Sequence, residues 1–128
     1  MYKKFVFTLC SMNVFIIGTA YLSLIRCDKT MPIFITLGNF TERGKAMLAD
    51  PDTFAKYTAG IEQMSATAGG KLIGAYMTMG RYDLVLINEY PNEEVALKMM
   101  MLGGARGTGD TETMTAVSLE KAVQIMQS

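Results

Sequence analysis

Two apolar-rich runs, residues 71–79 and 82–90, flank Gly80-Arg81. A Gly-X pair between such runs is the signature of a two-residue type II′ hairpin turn. That turn predicts a register with Met79 opposite Tyr82, Thr78 opposite Asp83, Met77 opposite Leu84, Tyr76 opposite Val85 and Gly74 opposite Ile87. Strand side chains alternate, so the register sorts the hairpin into two faces. One face carries Ile73, Ala75, Met77, Met79, Leu84 and Leu86 and is expected under helices. The other carries Leu72, Gly74, Tyr76, Thr78, Asp83, Val85, Ile87 and Glu89. That mixture is too apolar for plain surface and too polar for plain core, and it predicts a subunit interface, a ligand cleft, or both.

The other elements follow from the same patterning. Residues 33–37 form an apolar, β-branched run after Pro32 and predict a strand ended by Gly38-Asn39. Thr41 and Glu42 open a helical piece running to Asp50; Pro51 interrupts it, and Asp52 caps a second piece. Phe54, Tyr57, Ile61, Met64 and Ala68 recur there at helical spacing, before Gly69-Gly70. After the hairpin, Asn92 caps a helix with Glu93 and Glu94 in its first turn, a buried stripe of Val95, Met99 and Leu102, and an end at Gly103-Gly104. Residues 105–110 read as a mobile glycine loop, 111–117 as a last strand, and 119–126 as a short helix capped by Ser118. This order predicts an α+β chain: a ferredoxin-like βαββαβ plait with a C-terminal helix. Its antiparallel sheet has spatial strand order four-one-three-two, with helices on one face.

Residues 1–30 stand apart. Lys3 and Lys4 precede an uncharged, mostly apolar run from Phe5 to Ile25, followed by Arg26-Cys27-Asp28-Lys29. About twenty such residues suffice to span a bilayer, and the positive start also suits a secretory signal. Gly18-Thr19-Ala20 offers a weak cleavage site, and Arg26 departs from the small residue expected before a lipoprotein cysteine. The other reading makes Met31 the natural start. The expected location is the membrane or the exterior if residues 1–30 are translated, and the cytoplasm if Met31 begins the protein. Residues 31–128 are expected as the folded domain, touching a membrane only through the segment before them.

Charge and composition narrow the chemistry. The whole chain is balanced, but residues 31–128 hold eight Lys/Arg against eleven Asp/Glu, which argues against a nucleic-acid partner. The chain has no His and no Trp, and both cysteines, Cys10 and Cys27, precede Met31. The domain therefore lacks the usual neutral-pH base and any Cys-based metal site or disulfide. No metal and no cofactor are expected. Gly103-Gly104 with Arg106, Gly107 and Gly109 lacks the Lys-Ser/Thr ending of a phosphate loop.

Tyr76, Thr78 and Asp83 are expected on the face away from the helices. A partly desolvated Asp83 carboxylate would have a raised pKa and accept a proton, while Tyr76 polarised a carbonyl. Tyr82 flanks the turn, Thr36 or Phe34 is the expected neighbour of Tyr76, and Arg106 suits an anionic group. Each has a structural reading beside it: Asp83 accepting from Thr78 or a backbone N–H, Tyr82 packed on a helix, Arg106 solvated. Three functions follow. First is a small homodimeric ligand-binding or regulatory module for an apolar or anionic molecule. The second is a cofactor-independent enzyme using Asp83 and Tyr76. The third is a structural assembly subunit.

The blocks at residues 31–41 (MPIFITLGNFT), Gly69-Gly70-Lys71 and residues 76–85 (YMTMGRYDLV) resemble the GYD domain family. The Gly, Tyr and Asp of that name are Gly80, Tyr82 and Asp83, with Arg81 between the first two. The resemblance covers residues 31–126. It implies a ferredoxin-like domain similar to dimeric α/β-barrel proteins, in which two sheets pack face to face, and it implies no particular activity.

Overall fold

The computed structural model describes residues 30–128; the apolar run proposed for membrane insertion or export lies outside the described residues. Strand β1, Ile33–Phe40, alternates strictly, with Phe34, Thr36, Gly38 and Phe40 buried. It runs beyond the end predicted at Gly38-Asn39, because pairing continues through Gly38↔Thr111, Asn39↔Asp110 and Phe40↔Gly109. Helix α1, Glu42–Leu48, is capped by Thr41, whose Oγ1 accepts from Gly44 N at 3.2 Å.

Helix α2, Pro51–Thr67, is capped by Asp50 rather than Asp52. Proline has no N–H to lose at the first helical position and its φ suits it, so the cap falls one residue ahead. The Asp50 carboxylate accepts from Asp52 N and from the Thr53 hydroxyl; chiefly the latter holds its pKa below the usual value. Phe54, Tyr57, Ile61, Met64 and Ala68 are all half-buried, as the helical spacing predicts.

Strands β2, Lys71–Met77, and β3, Leu84–Glu89, pair as predicted at Met77↔Leu84, Tyr76↔Val85 and Gly74↔Ile87. Two features differ. A bulge falls between Leu72 and Gly74, so Leu72 pairs with Asn88 and joins its face, leaving Ile73 as the extra residue. The turn is wider than two residues: Thr78 N donates to Asp83 O at 2.9 Å and Thr78 Oγ1 to Tyr82 O at 2.6 Å. Gly80 has φ +150°, far from the about +60° expected at the first central residue of a II′ turn. The register survives because Thr78 and Asp83 still oppose each other. Met77 and Met79, expected under helices, are exposed; the helices cover the sheet centre and stop short of the hairpin tip.

Helix α3, Glu93–Ala105, begins at Asn92, whose Oδ1 accepts from Val95 N at 2.9 Å. It passes through Gly103-Gly104 and stops where Gly107 turns to φ +66°. Its buried residues are Ala96 and Met99, while Leu102, expected inside, is 48 % exposed. The small Ala96 turns a face one residue away from the predicted stripe toward the sheet. Strand β4, Gly109–Ala116, starts earlier than predicted, which shortens the glycine loop to residues 106–108. Helix α4, Leu119–Gln127, is capped by Ser118.

The sheet order is β2-β3-β1-β4, all antiparallel, which is the predicted four-one-three-two read from the other edge. Residues Met31–Ser128 make one ferredoxin-like α+β unit with a C-terminal helix. Phe34, Tyr90, Ala96 and Met99 form its core, with Met64, Ala68, Val95 and Met100 against them. Phe34 and Tyr90 meet with ring centroids 5.9 Å apart, an edge-tilted contact worth about 0.5–1.5 kcal/mol beyond area burial. No helix among the described residues is long and apolar enough to cross a membrane.

This packing can be tested in two ways. A chain starting at Met31 should show a cooperative thermal transition by circular dichroism, because core and register are complete within it; a non-cooperative melt would make the preceding segment part of the fold. The second test compares two helical glycines. A Cβ at Gly44 would lie 2.0 Å from the Thr108 carbonyl oxygen, whereas one at Gly60 meets nothing within 4 Å. Gly44→Ala should cost about 1–3 kcal/mol through overpacking, and Gly60→Ala should gain about 0.5–1 kcal/mol from helix propensity. Denaturant melts giving both variants the same sign would contradict the close approach of α1 to Thr108.

Candidate functional site

Thr78, Tyr82 and Asp83 gather at the hairpin end, where the backbone occupies their polar atoms. Asp83 Oδ2 accepts from Phe40 N at 3.0 Å. Asp83 N donates to Gly38 O at 2.9 Å and lies 3.1 Å from Asn39 Oδ1. The residue thereby carries β3–β1 pairing past the end of β3. Thr78 donates to the Tyr82 carbonyl and not to the carboxylate. Tyr82, instead of packing on a helix, donates from its hydroxyl to Glu112 Oε2 on β4 at 3.0 Å, with the Arg81 guanidinium 5.7 Å from its ring centroid. Tyr82 and Asp83 thus tie the hairpin end to β1 and β4.

Tyr76 stands apart, 57 % exposed on the face away from the helices. Its ring lies over Gly74, where a Cβ would sit 2.7 Å from it. Neither Thr36 nor Phe34 is its neighbour, because both point to the helices and are buried. Pairing of Val85 with both Tyr76 and Leu37 brings Leu37 to that side instead. The predicted site residues therefore divide three ways: Thr78, Tyr82 and Asp83 at the hairpin end, Tyr76 on the open face, and Thr36 with Arg106 on the helix side.

Thr36 and Arg106 both line a cavity of about 100 Å³ between sheet and helices. Thr36 Oγ1 lies 2.9 Å from Thr113 Oγ1, which donates to Met100 Sδ at 2.8 Å. Ser65, Asn88 and Tyr90, all buried, line the cavity too. Ser65 Oγ is 3.1 Å from Ile61 O, 2.9 Å from Asn88 Oδ1 and 3.5 Å from Tyr90 Oη. Sequence reasoning passed over this trio. Its signal was present: Ser65 sits one turn after Ile61 on the inward stripe, and Asn88 continues the inward positions Leu84 and Leu86. Among the described residues, no group of His, Cys, Asp or Glu could hold a metal ion.

Asp83→Ala should cost about 1–3 kcal/mol, since it strips the acceptor from the Phe40 N–H. Asp83→Asn keeps an oxygen for that bond and should cost clearly less in denaturant melts; equal losses would mean that the carboxylate's charge, not the bond, matters.

No curated protein matches the chain. The family model for the GYD domain matches residues 34–126, a span holding β1, the hairpin, all four helices almost to the end of α4, and the Gly80, Tyr82 and Asp83 cluster. The chain belongs to the GYD domain family.

Proposed function

We propose that the protein works as a homodimeric binding module whose two copies pack sheet against sheet. The observation that carries this reading is the composition of the face away from the helices. With Phe34, Thr36 and Gly38 inward, β1 presents Ile33, Ile35 and Leu37 outward. The pairing aligns them with Val85 and Ile87 on β3 and with Met114 and Ala116 on β4. Tyr76 and Met114 are 57 % and 41 % exposed there. An antiparallel sheet that faces water is expected to carry polar residues on that side, and soluble monomers rarely expose large contiguous apolar patches. A two-fold, self-complementary contact of this face with itself buries the patch on both copies at once.

The binding role rests on a small apolar or anionic molecule as ligand. Asp83, the base of the enzyme reading, is engaged by the Phe40 backbone, and no observation favours catalysis over binding. The test is analytical ultracentrifugation of the full chain. Wild type should sediment as a dimer at micromolar concentration. Val85→Glu should give monomer, because the dimer would bury an unpaired carboxylate. A monomeric wild type, or a dimeric Val85→Glu variant, would overturn the reading.

A further inference from the structure

Three features of the helix side converge. The first is a gap. Helix α2 packs chiefly over β2 and α3 over β4, and between them runs a groove of about 520 Å³ lined by Met64, Met99, Lys98 and Arg106 among others. Met64, Met99 and Arg106 also line the inner cavity, so the groove and the cavity adjoin.

The second is an amide with one end free of protein partners. Asn88 is 2 % exposed and its Oδ1 meets Ser65. No hydrogen bond engages its Nδ2, yet no fully enclosed side-chain polar atom among the described residues lacks a partner. The free end of the amide therefore faces open space, and the space Asn88 lines is the cavity. Ser65 has a single hydroxyl proton for Ile61 O and Asn88, so the amide meets it equally well with either end. Whichever end does, the other is left for water or a ligand in the cavity that Asn88 lines.

The third is charge. Arg106 lines both spaces, and no carboxylate is seen paired with its guanidinium among the described residues. Arg106 lines the cavity together with Thr108, Leu84 and Asn88. Four residue steps along β3 lead from Leu84 to Asn88, about 13 Å at the rise of a strand. The walls include Ile61, Met64, Leu86, Met99 and Met100, with Thr36 among the polar residues. The inner cavity is well below the about 300–1,000 Å³ of pockets for drug-sized ligands, so the body of any occupant is short.

We infer that the groove between α2 and α3, with the cavity beneath it, binds a small aliphatic acid carrying a second hydrogen-bonding group at its far end. The carboxylate pairs with Arg106, the methylene chain lies along Met64, Met99 and Met100, and the far hydroxyl or carbonyl completes the Asn88 amide. This inference rests on the ligand-binding part of the proposed function and is independent of the dimer, because the site lies on the other side of the sheet.

The experiment uses the full chain labelled with ¹³C-methyl methionine and three probes: 6-hydroxyhexanoate, hexanoate and 1,6-hexanediol. Saturable shifts are expected at Met64, Met99 and Met100 and not at Met114 on the open sheet face. The hydroxy acid should bind at least about fivefold more tightly than either probe lacking one end, the factor one hydrogen bond or ion pair supplies. Arg106→Gln, an exposed change, should lower its affinity to that of the diol. Equal binding of all three probes, or wild-type affinity in Arg106→Gln, overturns the inference. Saturable shifts confined to Met114 overturn it while keeping a ligand on the sheet face. No saturable shift anywhere overturns it together with the small-molecule reading.

Discussion

The alternation of β1 and β3 at the centre of the sheet is the constraint on which the domain depends. Both strands carry apolar residues on both faces, so neither face can be left to water without cost. On one side Phe34 packs with Tyr90 and with Met64 of α2 and Ala96 and Met99 of α3, and the core forms there. On the other side Ile33, Ile35, Leu37, Val85 and Ile87 present a second apolar surface, which the packed helices do not reach. The same alternation that builds the monomer therefore leaves the second apolar surface on which the proposed sheet-to-sheet contact rests.

The edges of this arrangement are fixed by backbone groups more than by side-chain burial. Asp83 accepts from Phe40 N while its own N–H goes to Gly38 O, so the last step of the ladder is held by a side chain standing in for a strand. Tyr82 extends the tie to Glu112 on β4. Tyr82 and Asp83 thus have a mechanical role, joining the hairpin tip to the two strands that do not belong to the hairpin. On the opposite face, polarity is used differently. Ser65, Asn88 and Tyr90 bring hydroxyls and an amide inside, and all three line the cavity.

Much of the fold was legible in the sequence. The apolar runs around Gly80-Arg81, the helical stripe from Phe54 to Ala68 and the caps at Thr41, Asn92 and Ser118 each rest on local chemistry, and the order of elements leaves few topologies. What escaped was set by tertiary contact. Gly38 and Asn39 resemble a strand end, yet β4 extends the strand through them. Gly103-Gly104 resemble a helix stop, yet α3 continues to Ala105. The bulge at Ile73 shifts Leu72 to the other face, and nothing in KLIGAYM announces it. For the candidate residues, spacing grouped Tyr76 with Asp83 and Thr36, because period-two reasoning within one hairpin says nothing of where a third strand's faces fall. Ser65 and Asn88 were visible as polar residues at inward positions, but only their meeting in space gives them meaning.

The central claim is that the open sheet face meets its own copy. Isotope-filtered NMR on a mixture of ¹³C-labelled and unlabelled full chains tests it directly, by detecting magnetisation transfer that passes only between molecules. The account predicts intermolecular transfer to the methyls of Ile35, Leu37, Val85 and Ile87. Intermolecular signals from the methyls of α2 and α3 in their place, or none at all, would contradict it.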